Sequence, residues 1–151
     1  MDEPTHRALD PDAVSALYAR WLPGLWEAPT ADLDVLAREV FTDDAVAHWP
    51  GRDVHGPFAI ADQIRTTHAM FSAISTTVEV GPVVDAGGLV AAHWLFSADY
   101  AGGLDTATAP LGARVQYPGA DFFRLRGDRF CEYWVVGDTL TLMAQLGAVN
   151  G

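Results

Sequence analysis

The chain has no lysine: all nine of its basic residues are arginine, set against 20 acids for a formal net charge of −11 over 151 residues. That excludes chemistry needing a lysine Schiff base, a P-loop lysine or covalently held pyridoxal phosphate. The negative excess repels phosphate backbones and anionic lipid, so neither nucleic acid nor a membrane surface is an expected partner. Cysteine occurs once, at Cys131, which excludes an internal disulfide and a multi-cysteine zinc site and suits a reducing, cytoplasmic setting. No stretch approaches about 18 uninterrupted apolar residues, and no charged segment followed by an apolar run opens the chain, so neither a spanning helix nor a secretion signal is expected. Internal repeats and low-complexity tracts are absent as well.

Apolar material is plentiful. Half of the residues are hydrophobic, with five Trp, seven Phe and four Tyr, enough for a core and a lined pocket. A chain of this length buries roughly 70% of the surface its unfolded form exposes, so one domain over residues 1–151 needs no disulfide or metal to fold. Only the polar stretch Met1–Leu9 is expected to be loose.

Helical signals come first. Asp10-Pro11 is an N-cap followed by proline at the first helical position, and Val14, Leu17, Tyr18, Trp21, Leu22, Leu25 and Trp26 follow helical spacing, with a bend at Pro23-Gly24. Thr30 is placed to cap a second helix through "ADLDVLAREVF", with Leu33, Leu36, Ala37 and Val40 as its stripe. "AVAHWP" reads as extended. Gly56-Pro57 opens a third helix, "PFAIADQIRTTHAMFSAI", with Phe58, Ala61, Ile64 or Arg65, His68 and Phe71 along one side.

The period then changes from 3.6 to 2. "STTVEVGPVVDA" is a strand disturbed at Gly81-Pro82, "DAGG" a turn, and "LVAAHWLFSADY" a long strand. Ala101 to Gly112 is a loop by composition. "ARVQYPGADFFRLR" and "RFCEYWVV" form a hairpin about Gly127-Asp128, and Asp138 caps a last helix that Gly147 ends. Helices, then an antiparallel sheet, then a short helix make an α+β fold with helices covering one face of a curved sheet.

Within the hairpin, Asp121 stands immediately before Phe122 and Phe123. A carboxylate in apolar surroundings costs several kcal/mol unless it is paired, hydrogen-bonded or protonated. Two readings follow: a pocket base with a raised pKa, or a strand-end acid tied to backbone amides or Arg114. Regular alternation puts Tyr133 on the same side as Asp121 and Val135, where its hydroxyl can orient a carbonyl or steady an oxyanion. Trp21, Trp26, Trp49, Phe58, Met70, Phe71, Trp94, Phe123 and Val135 are the candidate apolar lining of a substrate pocket. His48, His55 and His68 fit no recognised metal spacing, so no metal and no other cofactor is expected.

In order along the chain, "VFTDDAVAHWPGRDVHGPFAIADQI", "LVAAHWLFSADYAGG" and "FFRLRGDRFCEYWVVGDTLTLMAQLG" resemble the SnoaL-like polyketide cyclases and the wider nuclear transport factor 2-like superfamily. The resemblance implies a cone-shaped α+β barrel with a deep apolar pocket, in a homodimer joined through the convex sheet face. It also implies a hydrophobic, polyketide-like substrate handled without a cofactor. Relatives of this kind carry a catalytic Asp at the position of Val135 and a pocket His at the position of Asp121, so the ionisable group has moved one strand across. His48 lies on a segment that contributes to the pocket in similar proteins, which makes Asp121, His48 and Tyr133 the candidate acid-base set. His68 and His93 are expected to be structural, and Glu132 to face solvent or a dimer partner. Three functions stay open: a cyclase, isomerase or dehydratase, a noncatalytic small-molecule binder, and an epoxide hydrolase, whose Asp-Arg-Asp trio lacks a member at Val135.

Overall fold

The computed structural model describes residues 10–149; the stretch Met1–Leu9, expected to be loose, lies outside them. Asp10 accepts a hydrogen bond from the Asp12 N–H at 3.0 Å, and Pro11 takes the first position of α1, Pro11–Ala19. A π-helical turn, Arg20–Leu25, follows. Pro23 interrupts it, and Leu22 leaves helical geometry at φ −136°, ψ 112°, so the bend falls where the Pro-Gly pair predicts it. Trp21, Leu22 and Leu25 around the bend are all buried.

A 3-10 turn, Thr30–Asp32, leads into α2, Leu33–Val40. Thr30 makes no capping bond, because it already lies inside that turn. The buried side of α2 is Leu33, Ala37 and Val40, the expected stripe with Leu36 at its margin. The next helix, α3, spans Pro57–Met70 and stops four residues short of the predicted end at Ile74. Phe71 is already extended and pairs with Tyr100; its ring packs edge-on against Phe96 at 5.8 Å, so tertiary burial overrides local helical periodicity. The buried face of α3 is Pro57, Ile60, Ala61 and Ile64. Phe58, expected to line a pocket, is instead 54% exposed.

Six strands form one curved, unclosed sheet. They are β1 (Phe41–Trp49), β2 (Arg52–His55), β3 (Phe71–Val84), β4 (Leu89–Tyr100), β5 (Arg114–Arg126) and β6 (Arg129–Gly137), in the order β2-β1-β6-β5-β4-β3. All neighbours are antiparallel except β1 and β6, which run parallel. The four-residue β2 is absent from the sequence reading. The register of β3 shifts on both sides of Val80, beside Gly81-Pro82. Gly81 has φ +91°, and a Cβ there would sit 2.8 Å from the Ala91 carbonyl oxygen. Asp138 caps the final helix, α4 (Thr139–Gln145), by accepting from the Thr141 N–H at 3.1 Å. Among the described residues, no helix is long and apolar enough to cross a membrane.

Strict alternation on β4 buries Val90, Ala92, Trp94, Phe96, Ala98 and Tyr100 on the inner face. On the same side β5 and β6 bring Asp121, Phe123 and Tyr133, packed under α1 and the Arg20–Leu25 turn. Trp94, Gly119 and Gly137 lie abreast across β4, β5 and β6. A Cβ on Gly119 would fall 2.3 Å from two indole carbons of Trp94, so glycine is what lets that ring lie against the strand. Gly119→Ala is therefore expected to cost ~1–3 kcal/mol through overpacking, read as a lower urea midpoint with an unchanged slope. An unchanged midpoint would mean that the ring has room to move.

Candidate active site

Asp121 is 1% exposed, the one acid in the buried set among the described residues. Its partners are neither Arg114 nor backbone amides. Arg114 lies away from it, donating to Asp99 at 3.1 Å and to the Ala73 carbonyl at 3.0 Å. The carboxylate instead receives three aromatic side-chain donors. Tyr18 Oη and Trp21 Nε1 donate to Oδ2 at 2.8 and 2.9 Å, and Tyr133 Oη donates to Oδ1 at 2.8 Å. Two of these come from the first helical segments and one from the cross-strand neighbourhood, so a single carboxylate ties helix to sheet.

Burial pushes the Asp121 pKa up, and Trp21, Tyr18, Tyr133 and Trp94 oppose that rise by favouring the anion. The phenols of Tyr18 and Tyr133 are pushed well above the ordinary tyrosine value, first by burial and then by the Asp121 charge. They remain protonated donors at neutral pH. Tyr117 is pushed up to about 12 for the same reasons.

One side of Asp121 opens on a cavity of about 100 Å³. Leu22, Trp26, Trp49, Trp94, Phe96 and Tyr117 supply its apolar lining. Tyr133 and Val135 flank the acid. Val135 is the direct cross-strand partner of Asp121, and Tyr133 that of Phe123, so the predicted alternation of the hairpin holds. Among the described residues, none of those lining the cavity is Arg or His. Nor does any group of three or more His, Cys, Asp or Glu come together as a metal site among them.

The remaining candidates are distributed differently. Trp26, Trp49, Trp94 and Val135 do line the cavity. Trp21 stands behind Asp121 as a hydrogen-bond donor, and Phe123 is core, stacked on Phe130 at 4.0 Å and on Tyr133 at 4.7 Å. Met70 ends α3, its carbonyl accepting from the Ala101 N–H. Phe71 borders a separate, more open groove of about 360 Å³ with His68. His68 is held neutral-leaning by burial, and the one carboxylate in that groove, Glu27, is engaged by Thr76 through its N–H and hydroxyl at 2.8 and 2.7 Å.

His48 is not brought to Asp121. On β1 it alternates with inward Ala47 and Trp49, so its ring lies on the outer face, stacked on Trp134 at 5.5 Å. There it bridges Asp53 and Glu132, each at 2.8 Å, and these carboxylates raise its pKa. Glu132 thus faces outward but is half-buried and paired. His93 also lies outward, 3.5 Å from Glu79. Sequence reasoning missed Tyr18 as part of the site. The available signal was a pair of aromatic residues three apart on one helical face, each with a polar tip that needs a partner when buried.

A family model described as a SnoaL-like domain matches residues 14–133. The chain belongs to the SnoaL-like family. No curated protein matches it. Among solved structures, TsrD from Streptomyces laurentii is 25% identical with a TM-score of 0.75, over 93% of this chain and 99% of that one. A proposed SnoaL-like polyketide cyclase from Jannaschia sp. CCS1 is 18% identical with a TM-score of 0.76, covering 99% of each chain. IdmH, a proposed polyketide cyclase from Streptomyces antibioticus, is 23% identical with a TM-score of 0.68, over 90% and 96%. These likenesses give the nuclear transport factor 2-like fold, and polyketide cyclases are among the proteins that share it. In this SnoaL-like chain Val135 stands directly across the ladder from Asp121.

A carboxyl whose pKa is raised on folding binds its proton more tightly in the native state. Its stabilising contribution is complete below the unfolded value, near 3.8, and is lost as pH rises through the folded pKa. Asp121→Asn preserves the bonding, since the amide oxygen can face Tyr18 and Trp21 while the hydroxyl of Tyr133 turns to accept from the amide NH2. Thermal unfolding across pH is expected to show the Asn variant gaining on the wild type as pH rises from about 4 towards 8. Asp121→Ala, which orphans three donors, is expected to lose ~1–3 kcal/mol or more at every pH. A pH-independent difference between wild type and Asn would rule out the raised pKa.

Proposed function

We propose that this SnoaL-like protein is a cofactor-independent acid-base enzyme, a cyclase or isomerase acting on a neutral, hydrophobic, polyketide-like molecule. The observation that carries the reading is Asp121 itself, a buried carboxylate lining an apolar cavity, held by three neutral donors and matched by no cation there. A carboxylate offers about four lone-pair sites. Three are occupied by Tyr18, Trp21 and Tyr133, and the carboxylate still borders the cavity. Burial strengthens the base, while the donors favour its anionic form. Tyr133 fixes Oδ1 and shares the cavity wall, which suits it to hold the base in position.

The noncatalytic alternative gains support only if the acid is fully used by Arg114 or backbone amides, and its partners are neither. Epoxide hydrolysis by an Asp-Arg-Asp trio lacks support because no arginine lines the cavity among the described residues. The lone free Cys131 suits a reducing, cytoplasmic location.

The reading is tested by screening enolisable bicyclic ketones and 1,3-diketones for exchange of the hydrogen beside the carbonyl with deuterium oxide, followed by mass spectrometry. The wild type is expected to accelerate exchange. Asp121→Asn should slow it by at least ~10²-fold with affinity for the same compound retained. Equal rates for the two proteins would remove Asp121 as the base.

We also propose a homodimer formed through the outer sheet face. Val80, Val83, Ala91, His93, Ala120 and Phe122 border an apolar groove there, and Val80 and Val83 are 64% and 61% exposed. Light scattering at micromolar concentration should give twice the chain mass, and Val83→Asp should halve it. A wild-type monomer counts against this face as a self-interface.

A further inference from the structure

The cavity beside Asp121, at about 100 Å³, lies below the range of about 300–1,000 Å³ that pockets for drug-sized molecules occupy. Next to it is the groove of about 360 Å³, bordered by Glu27, Pro29, His68, Ser72, Ala73 and Ile74. One pair of side chains divides the two spaces. Thr76 lines the cavity and Glu27 the groove, and Glu27 Oε2 accepts from the Thr76 N–H and hydroxyl at 2.8 and 2.7 Å. On both sides of this clasp the chain steps from one space to the other: Trp26 lines the cavity and Ala28 the groove, Thr76 the cavity and Ile74 the groove. Thr76, Phe96 and Tyr117 lie abreast across β3, β4 and β5, so the clasp stands where the cavity wall running from Asp121 past Tyr117 ends. The clasp is exposed, and its flanks are irregular backbone. Ala28 N–H reaches the Leu25 carbonyl only at 3.4 Å, and β3 shifts register between Ser72 and Ser75, with Ala73 at φ +50°.

We infer that the groove is the distal half of the binding site, joined to the cavity when the Glu27–Thr76 clasp parts, and that its occupant is the hydroxylated end of an elongate neutral aromatic molecule whose leading rings fill the cavity. This rests on the reading of the cavity as a substrate site and gives that substrate a length and a polarity. Each half of the site selects its own end of the molecule. The cavity, walled by Trp26, Trp49, Trp94 and Phe96, suits fused rings. The groove sets Phe71 and Ile74 beside Glu27, His68 and Ser72. There a ligand hydroxyl takes the place of the Thr76 hydroxyl as donor to Glu27, so parting the clasp exchanges one bond for another instead of losing it. Among the described residues no Arg lines the groove, and the Glu27 charge repels an anion, so a carboxylate or phosphate tail is disfavoured.

The probes are naphthalene, 2-phenylnaphthalene and 2-(4-hydroxyphenyl)naphthalene, which share their leading rings. In a proton-nitrogen NMR titration of the uniformly labelled protein, the amide signals of Val135 and Thr139 should move with all of them. Those of Ser72, Ala73 and Ile74 should move only with the longer two. The hydroxyl should tighten binding about fivefold over 2-phenylnaphthalene. Glu27→Ala opens the clasp and removes the acceptor, so 2-phenylnaphthalene should then bind about tenfold more tightly and the hydroxyl should confer no advantage. Glu27→Gln, whose amide oxygen still accepts, should keep the wild-type order. The titration of the unaltered protein decides the matter even if a variant folds poorly. Groove amides unmoved by 2-(4-hydroxyphenyl)naphthalene overturn the inference. So does equal affinity of wild type and Glu27→Ala for 2-phenylnaphthalene, because the clasp is then no barrier. Failure of the acid-base reading registers elsewhere, in the deuterium exchange of bicyclic ketones. Groove shifts without Asp121-dependent exchange support the longer site and refute the base; exchange with unmoved groove amides does the reverse.

Discussion

A carboxylate bonded to three aromatic tips is the constraint around which the remaining structure is arranged. Asp121 sits where water cannot solvate it, so its charge is tolerable only while Tyr18, Trp21 and Tyr133 all point inward. That requirement fixes how α1 lies on the sheet, since two of the donors belong to the first helical segments. It also explains the dense aromatic cluster behind the acid. Trp21 contacts Phe41, Phe123 and Tyr133 at centroid distances of 5.5, 5.5 and 4.8 Å. The rings that carry the donors are therefore locked by their own packing, and a donor that cannot rotate away stabilises an anion at little entropic cost.

The elements legible in the sequence are those with local causes. Capping by Asp10 and Asp138, the bend at Pro23, the disturbance at Gly81-Pro82 and the hairpin alternation each follow from one or two residues and their immediate neighbours. Elements that depend on distant partners were not legible. The α3 boundary moved because Phe71 finds Phe96 and Tyr100 across the sheet, and the parallel pairing of β1 with β6 joins segments far apart in sequence, Val46 with Glu132 for one. The strand β2 is too short to show a period of its own.

The site followed the same division. Asp121 was conspicuous because a charge in an aromatic run breaks a local rule, and Tyr133 followed from strand parity. His48 was misjudged for want of that parity: in "AVAHW" the small residues Ala45 and Ala47 and the ring of Trp49 face inward, which sends the histidine out to Asp53 and Glu132. Tyr18 on α1 and Trp21 in the turn after it could be suspected from their polar tips, but nothing in the sequence indicates that both reach the same oxygen.

The shared oxygen also joins two processes that are ordinarily separate. Tyr18 and Trp21 hold the helical segment to Oδ2 more strongly when the carboxyl is ionised than when it carries a proton, because bonds to a charged acceptor are the stronger ones. Burial under that same segment raises the pKa and outweighs the donors, so reciprocity runs through the cover: each proton that Asp121 accepts favours the docked segment, and release of the segment lowers the affinity of Asp121 for a proton. The first helical segment thereby exerts two opposing influences on one oxygen, its donors favouring the anion and its cover favouring the proton.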